Sequence, residues 1–198
     1  EMCIRDRCIN ASGRLDTAAR SLALLNAKTK EEAARLAGDL TALNQSRKAL
    51  TEKGKEEAIR IIETTELKND RVLVVYLPDC HESLAGIIAG RIREKYHRPA
   101  FVLTGGETSA KGSGRSIESY SMYEELVKCA DLMIQFGGHP MAAGLSIEEK
   151  NIEEFRRRLN VNCTLTDEEL RPKIVIDVPM PVSYITKELV EQISLLEP

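Results

Sequence analysis

The segment Lys111–Ser116, which is rich in glycine, contains the residue types that bind phosphate. Glycines allow close approach to the backbone, serine hydroxyls donate hydrogen bonds, and the guanidinium fork of Arg115 matches two phosphate oxygens. The order differs from a Walker loop, and Ile117 stands where a GxGxxG motif needs its third glycine. Residue types alone therefore leave two interpretations open, a phosphate cradle or an ordinary glycine-rich connection.

A second candidate for chemistry is His139, which follows Gly137 and Gly138 and precedes a proline. Because the glycines provide little steric cover, this imidazole could donate to phosphate or transfer a proton. The alternative interpretation is a surface histidine in a turn that ends a helix. One histidine does not decide between the two.

Spacings typical of metal sites are missing from the sequence. His81 and Glu82 begin like the zinc motif HExxH, but Ala85 stands where the second histidine belongs. The three histidines include no close pair, and the five cysteines include no CxxC pair. We therefore predict that this chain has no metal ligands of its own, and we interpret His81 as structural.

Composition restricts the class of protein. The 198 residues include 28 Lys and Arg against 31 Asp and Glu, a net charge of −3, and 42% are hydrophobic. The longest apolar runs, such as Val72–Leu77, are far shorter than the ~20 residues of a membrane span. The cysteine pattern favours a reducing cytoplasm. We therefore expect a cytoplasmic protein with no membrane partner.

Basic residues are concentrated between Ile88 and Tyr120, where six face only three acidic ones in the sequence. A polyanion would bind there, although helical positions 91, 93 and 95 cannot all face the same way. The six basic residues are Arg91, Arg93, Lys95, Arg98, Lys111 and Arg115.

A long helix is predicted to precede these residues. Thr29 and Glu32 form a capping-box pattern, and apolar residues recur at helical spacing from Lys30 to Thr65. About 35 residues at ~1.5 Å each would span roughly 50 Å. We interpret this helix as a core or linker helix; a coiled-coil dimer is the alternative, but Arg47 and Gly54 interrupt its seam.

The remaining pattern predicts alternating strands and helices, which is typical of an α/β fold. The run Val72–Leu77 is typical of a strand buried on both faces, and with the next helix and strand it forms a βαβ unit. The elements predicted after it are a helix at Ser83–Tyr96, a strand at Ala100–Leu103, a glycine-rich loop at Gly105–Gly114, a helix at Tyr123–Gln135 ended by the paired glycines, a strand at Leu145–Ile147, a helix at Asn151–Leu159, a linker at 161–172, a strand at Lys173–Val178 and a helix at Ile185–Leu196.

Four segments, in this order, carry a resemblance to a known family. They are Cys8–Arg14, Asp79–Arg91, Gly112–Ser116 and Phe136–Gly144, with the long helix after the first. Together they resemble the RecJ single-stranded-DNA exonucleases from about Cys8 to Pro198. Gly114 stands where that family usually has alanine.

The resemblance implies a fold and a domain order. It implies an α/β chain whose DHHA1-like domain, a small mixed sheet with flanking helices, occupies residues 67–160. Connecting helices at 17–66 would precede it, and residues 1–16 would be the tail of a missing DHH catalytic domain. Residues 161–198 would be a linker and the start of an incomplete oligonucleotide-binding (OB) domain.

The resemblance also implies functional residues. Arg14, Ser113 and Arg115 match positions that grip phosphate at the 5′ end of the DNA strand. His139, with Gly137 and Gly138, matches a Gly-Gly-His motif that faces the metal centre, so we expect His139 to be catalytic. The Mn²⁺ or Mg²⁺ ligands belong to the DHH signature, which is absent from this sequence.

The expected function is therefore the substrate clamp of a 5′→3′ single-stranded-DNA exonuclease of DNA repair and recombination. We expect a monomer, and we expect this fragment alone to be inactive. One alternative is a related phosphoesterase acting on short oligoribonucleotides or cyclic dinucleotides. Another is a non-catalytic DHHA1 module that only binds nucleic acid.

Overall fold

The computed structural model describes residues 8, 10–13, 15, 17–174, 176 and 178–196. Within these residues the helices and strands, in chain order, are α1 Ala19–Leu25, α2 Lys30–Thr64, β1 Leu73–Leu77, α3 Glu82–Tyr96, β2 Ala100–Thr104, β3 Ala110–Arg115, α4 Met122–Val127, β4 Met133–His139, β5 Ala142–Ile147, α5 Ile152–Asn162 and α6 Lys187–Ser194.

The five strands form one mixed sheet in the order β1-β2-β3-β5-β4. Strands β1 and β2 are parallel and are joined through α3, as the predicted βαβ unit requires. The other pairs, β2 with β3, β3 with β5 and β5 with β4, are antiparallel. The predicted α/β class with a small mixed sheet and a long preceding helix is confirmed.

Apolar cores lie on both faces of the sheet. On one face Leu73 and Val75 pack with side chains of α2 and α3, such as Ile62 and Ile88. On the other face Val72 and Val74 belong to a cluster with α5. In that cluster the rings of Phe101 and Phe155 meet edge to face, with centroids 5.4 Å apart. Burial on both sides explains the continuous apolar run that forms β1.

Helix α2 begins and ends almost where the sequence predicts. The Thr29 hydroxyl accepts a hydrogen bond from the Glu32 amide at 3.2 Å, and the Glu32 carboxylate accepts one from the Lys28 amide at 3.1 Å. Gly54 is the point of close approach to α3, because a Cβ there would lie 2.6 Å from Ile88 Cδ1. None of the described helices combines the length with the apolar composition that crossing a membrane requires.

Two glycine segments form strands where the sequence predicts a loop and a helix end. The predicted loop at Gly105–Gly114 is wrong at its second half, which is β3. The predicted helix at Tyr123–Gln135 is also wrong, since α4 ends at Val127 and the chain then turns into β4. Cross-strand pairing with β5 overrides the weak strand preference of glycine in both places.

The strand predicted at Lys173–Val178 is not seen in the described residues of that segment. Residues 173, 174, 176 and 178 have no strand assignment, and Val175 and Asp177 lie outside the described residues. Ile174 and Ile176 are 89% and 73% exposed. A strand needs a partner for its backbone groups, and none of the described strands pairs with this segment. The described residues of this segment therefore do not show the predicted strand of an OB-type continuation.

Candidate nucleic-acid interface

Three neighbouring strands place the predicted phosphate-binding residues in two adjacent rows. Across β3, β5 and β4, Ser113 is opposite Gly144, which is opposite Gly137. The next row on that face consists of Arg115, Ala142 and His139. Residues opposite one another point to the same side of a sheet, and residues two apart in a strand are about 7 Å apart. Ser113, Arg115, Gly137 and His139 therefore share one face.

This face is only partly covered. Helix α3 packs over β2 and β3, whereas on β4 and β5 Gly137, His139 and Gly144 are exposed to solvent. We call the exposed face of β4 and β5, together with the adjoining Ser113 and Arg115, the shelf. A cavity of about 620 Å³ lies beside it, between the start of α3 and the strands, and is lined by Ser83, Lys111, Ser113, Gln135, Gly137 and Ser146, among others.

Arg115 lies at the boundary between α3 and the shelf. Its Nη1 donates hydrogen bonds to Ser113 Oγ at 3.1 Å and to the Gly114 carbonyl at 2.7 Å. The guanidinium and the Ser113 hydroxyl are therefore held as one unit. Both side chains are half-buried, which lowers the entropy cost of using them to bind a ligand.

Lys111 adds a second cation at the mouth of the cavity. Its Nζ lies 2.6 Å from Glu82 Oε2, and the two side chains are 55% and 51% exposed. An ion pair this exposed stabilises the fold by only about 0–1 kcal/mol. An anionic ligand can therefore compete with Glu82 for Lys111 at little cost.

The other three arginines of the predicted cluster have partners outside the shelf. Arg91 and Arg93 pair with Glu94 at 2.9 and 3.5 Å, on the helix itself. Arg98 donates to the Lys68 and Asp70 carbonyls, both at 2.8 Å, and so ties the end of α3 to the turn before β1. Of the cluster, Arg115 belongs to the shelf and Lys111 lines the cavity beside it.

Gly137 and Gly138 are glycines for different physical reasons. Gly138 has φ +154°, and a Cβ there would lie 2.4 Å from the Ala142 carbonyl oxygen, so the fold itself requires glycine. Gly137 has no heavy atom within 4 Å of its Cβ position. The fold does not require glycine at 137, where it costs strand stability. An exposed glycine of this kind leaves room for a ligand to approach the backbone.

His139 ends β4 at the tight connection to β5. The Pro140 and Met141 carbonyls accept hydrogen bonds from the Met122 and Ser116 amides at 3.0 and 2.9 Å, which anchors this connection. Arg115 and His139 stand on either side of Ala142, two strand spacings or roughly 10 Å apart. At this separation, an arginine and a histidine side chain can reach one phosphate group from opposite sides.

His81 and Cys80 have structural environments. The His81 imidazole caps α3: its Nδ1 accepts from the Ser83 amide at 3.3 Å and lies 2.7 Å from Ser83 Oγ. Burial raises the pKa of the Cys80 thiol, which lowers its thiolate fraction at neutral pH. The cap made by His81 agrees with its structural interpretation.

The described residues do not provide a metal site. Within them, no three His, Cys, Asp or Glu side chains cluster closely enough to hold an ion. The donor set of the described residues could therefore not hold, by itself, the two ions of two-metal hydrolysis. Arg14, the remaining predicted phosphate ligand, lies outside the described residues.

Sequence reasoning missed several residues of the site. No pattern marks Gln135 and Ser146, because only strand pairing brings them into one row with Lys111, and Gly144, although it ends the Phe136–Gly144 segment, was not predicted as a site residue. Gly86 lies in the Asp79–Arg91 segment and was not predicted as a site residue. A Cβ there would lie 2.7 Å from Arg115 Nη2. The sequence signal that could have found it is the spacing of Gly86 and Gly90. Two glycines one helical turn apart let the side chains of β3 pack closely against that side of α3.

Comparison with known proteins finds one family model and a set of similar exonucleases. Residues 69–163 match the DHHA1 domain. The single-stranded-DNA-specific exonuclease RecJ of Salmonella typhimurium is 37% identical over 193 residues, which is 92% of this chain and 33% of that protein. The chain thus spans about a third of the length of this relative.

Solved structures agree with this match. The crystal structure of RecJ from Thermus thermophilus in complex with Mg²⁺ has a TM-score of 0.81 and 30% identity, and the match covers 97% of this chain and 30% of that one. An exonuclease RecJ bound to manganese has a TM-score of 0.68 and 32% identity over 78% of this chain and 38% of that one. Residues 69–163 therefore match a DHHA1 domain, and the chain is similar over most of its length to RecJ exonucleases, of which it spans about a third.

Proposed function

We propose that this chain is the substrate clamp of a 5′→3′ exonuclease specific for single-stranded DNA, with a role in repair and recombination. The observation that carries the proposal is the placement of Ser113, Arg115 and His139 in adjacent rows of one partly open sheet face. The relatives named as single-stranded-DNA-specific exonucleases supply the substrate class.

In the proposed complex the 5′ phosphate of the strand lies over Ala142. Arg115 and the Ser113 hydroxyl donate to its oxygens from one side, and the His139 imidazole donates from the other. Gly137 and Gly144 allow the sugar-phosphate backbone to approach the sheet closely. Fixed donors of this kind hold the scissile bond in line for attack, which is how a clamp contributes to hydrolysis. We propose that His139 also holds or transfers a proton at its ring nitrogen.

We propose that the Mn²⁺ or Mg²⁺ ligands lie in a DHH domain outside the described residues. In this proposal residues 1–16, with Arg14, are the tail of that domain, and 17–66 connect it to the DHHA1 domain at 67–160. Residues 161–198 lead into an OB-type domain. The assembled enzyme is proposed to be a cytoplasmic monomer.

We expect the 198-residue chain by itself to bind single-stranded DNA weakly and to lose that binding steeply as salt rises, because phosphate contacts release condensed counterions. The measurement is fluorescence anisotropy with a labelled oligonucleotide, 5′-phosphorylated or 5′-hydroxyl, between about 50 and 200 mM salt, conditions in which phosphate-contacting proteins lose large factors in affinity.

Incubation of the same chain with Mn²⁺ and the labelled oligonucleotide is expected to release no mononucleotides. Robust hydrolysis would contradict the division of labour between clamp and metal domain. Binding that is equal for single-stranded and duplex DNA and insensitive to the 5′ phosphate would favour the non-catalytic binding module instead.

A further inference from the structure

Helix α3 has a close contact with Arg115 and Ser113 that lies outside the phosphate-binding motifs. A Cβ at Gly86 would lie 2.7 Å from Arg115 Nη2, 3.3 Å from Arg115 Cζ and 2.9 Å from Ser113 Oγ. The first and last of these distances are shorter than a carbon atom can approach. The guanidinium and the hydroxyl therefore occupy space that is open only because residue 86 has no side chain.

We infer that Gly86 is a positioning residue, which sets the location of the Arg115 guanidinium and the Ser113 hydroxyl and thereby the preference for a phosphorylated strand end. The inference rests on the proposed function for its consequence in DNA binding. The contact itself is a property of the fold alone.

The atoms that would collide explain why the expected effect is local. Arg115 Nη2 is the far end of a flexible side chain, and Ser113 Oγ moves with one torsion, so both can rotate away without backbone movement. Alanine is also a better helix former than glycine. A Gly86→Ala variant is therefore expected to fold, with the guanidinium and hydroxyl displaced from the positions they now share through the 3.1 Å hydrogen bond.

Gly90 provides a matched control on the same helix. A Cβ there would lie 4.0 Å from Arg115 Cγ, an ordinary van der Waals distance. Gly90→Ala makes the same change in helix preference one turn further along. It is expected to leave Arg115 in place and DNA binding unchanged.

The test is a double-mutant cycle on the chain, read as the ratio of affinities for 5′-phosphorylated and 5′-hydroxyl single-stranded DNA. Gly86→Ala is expected to lower this ratio on the order of tenfold, because small displacements of a binding group weaken a site strongly. In a chain that already carries Arg115→Ala, the same change is expected to have a smaller further effect, through the Ser113 hydroxyl alone, because the guanidinium that it would displace is gone. An equal loss in both backgrounds, or no loss with Arg115 present, would overturn the inference.

A second measurement does not depend on DNA. The Nε–Hε signal of Arg115 in an NMR spectrum, identified by its loss in Arg115→Ala, is expected to shift in Gly86→Ala and to stay in place in Gly90→Ala. An unshifted signal in Gly86→Ala would overturn the inference even if DNA binding changed. A different outcome would separate the inference from the proposed function. If Arg115→Ala leaves the phosphate preference intact while the signal shifts as expected in Gly86→Ala, the proposed function fails, but Gly86 still positions the Arg115 guanidinium.

Discussion

Replacing Arg115 with alanine is expected to lower affinity for 5′-phosphorylated single-stranded DNA by about tenfold to a hundredfold, and affinity for the 5′-hydroxyl strand much less. The reason is the loss of hydrogen bonds between an ionised donor and phosphate, each worth about 1.5–3 kcal/mol. The slope of log affinity against log salt is expected to fall by about 1, as for one lost phosphate contact.

The control for this change is Arg91→Ala. Arg91 is an exposed arginine on α3 that pairs with Glu94, and it is not among the residues that line the cavity beside the shelf. The Arg91→Ala substitution removes the same charge without removing the proposed phosphate contact, so the preference for the 5′ phosphate is expected to remain. In an enzyme of RecJ length that carries this sequence, Arg115→Ala is expected to slow degradation at sub-saturating DNA. Unchanged turnover there, with an unchanged phosphate preference, would remove Arg115 from the site.

Replacing Gly137 with valine is expected to stabilise the fold while weakening the binding of single-stranded DNA. No heavy atom lies within 4 Å of the Cβ position of Gly137, so the side chain can be accommodated, and a β-branched residue suits a strand. We expect the free energy of unfolding to rise by about 0.5–1 kcal/mol relative to glycine. Binding of single-stranded DNA is expected to fall by about tenfold or more, a cost of about 1.4 kcal/mol, because the side chain occupies the space of the ligand.

The measurements are urea unfolding and anisotropy on the same preparations. Gly38→Ala is the control, because Gly38 on α2 is also exposed and also has an empty Cβ position, but lies off the shelf. It is expected to leave DNA binding unchanged. A Gly137→Val chain that is as stable as expected and binds DNA normally would show that the shelf does not hold the strand.

Local sequence patterns were sufficient for the elements whose signals are strong. The capping box at Thr29 and the helical spacing after it predicted α2 to within one residue of its observed end. The apolar run at Val72–Leu77 predicted a strand buried on both faces. These signals succeed because a cap and a periodic apolar pattern act within a few residues of the chain.

Strands β3 and β4, which carry the side chains of the site, gave no such signal. Gly112 and Gly114 in β3, and Gly137 and Gly138 in β4, are poor strand formers by themselves. Gly114 lies in a strand because Phe101 and Met122 fill the space above its bare backbone, where a Cβ would lie 2.6 Å from each. Those contacts join residues far apart in the sequence, so no local pattern contains them.

What the sequence by itself determined is the chemistry available: a serine, a guanidinium and an imidazole in motifs that resemble one family, on an α/β chain with a long helix. Only the tertiary structure decided that the strand residues Ser113 and Arg115 share a face with Gly137 and His139. It also placed Gly86 against the Arg115 guanidinium, which that glycine positions. The physical reason is register, because a shift of one residue in the pairing of β5 with either neighbour would turn one set of side chains to the opposite face.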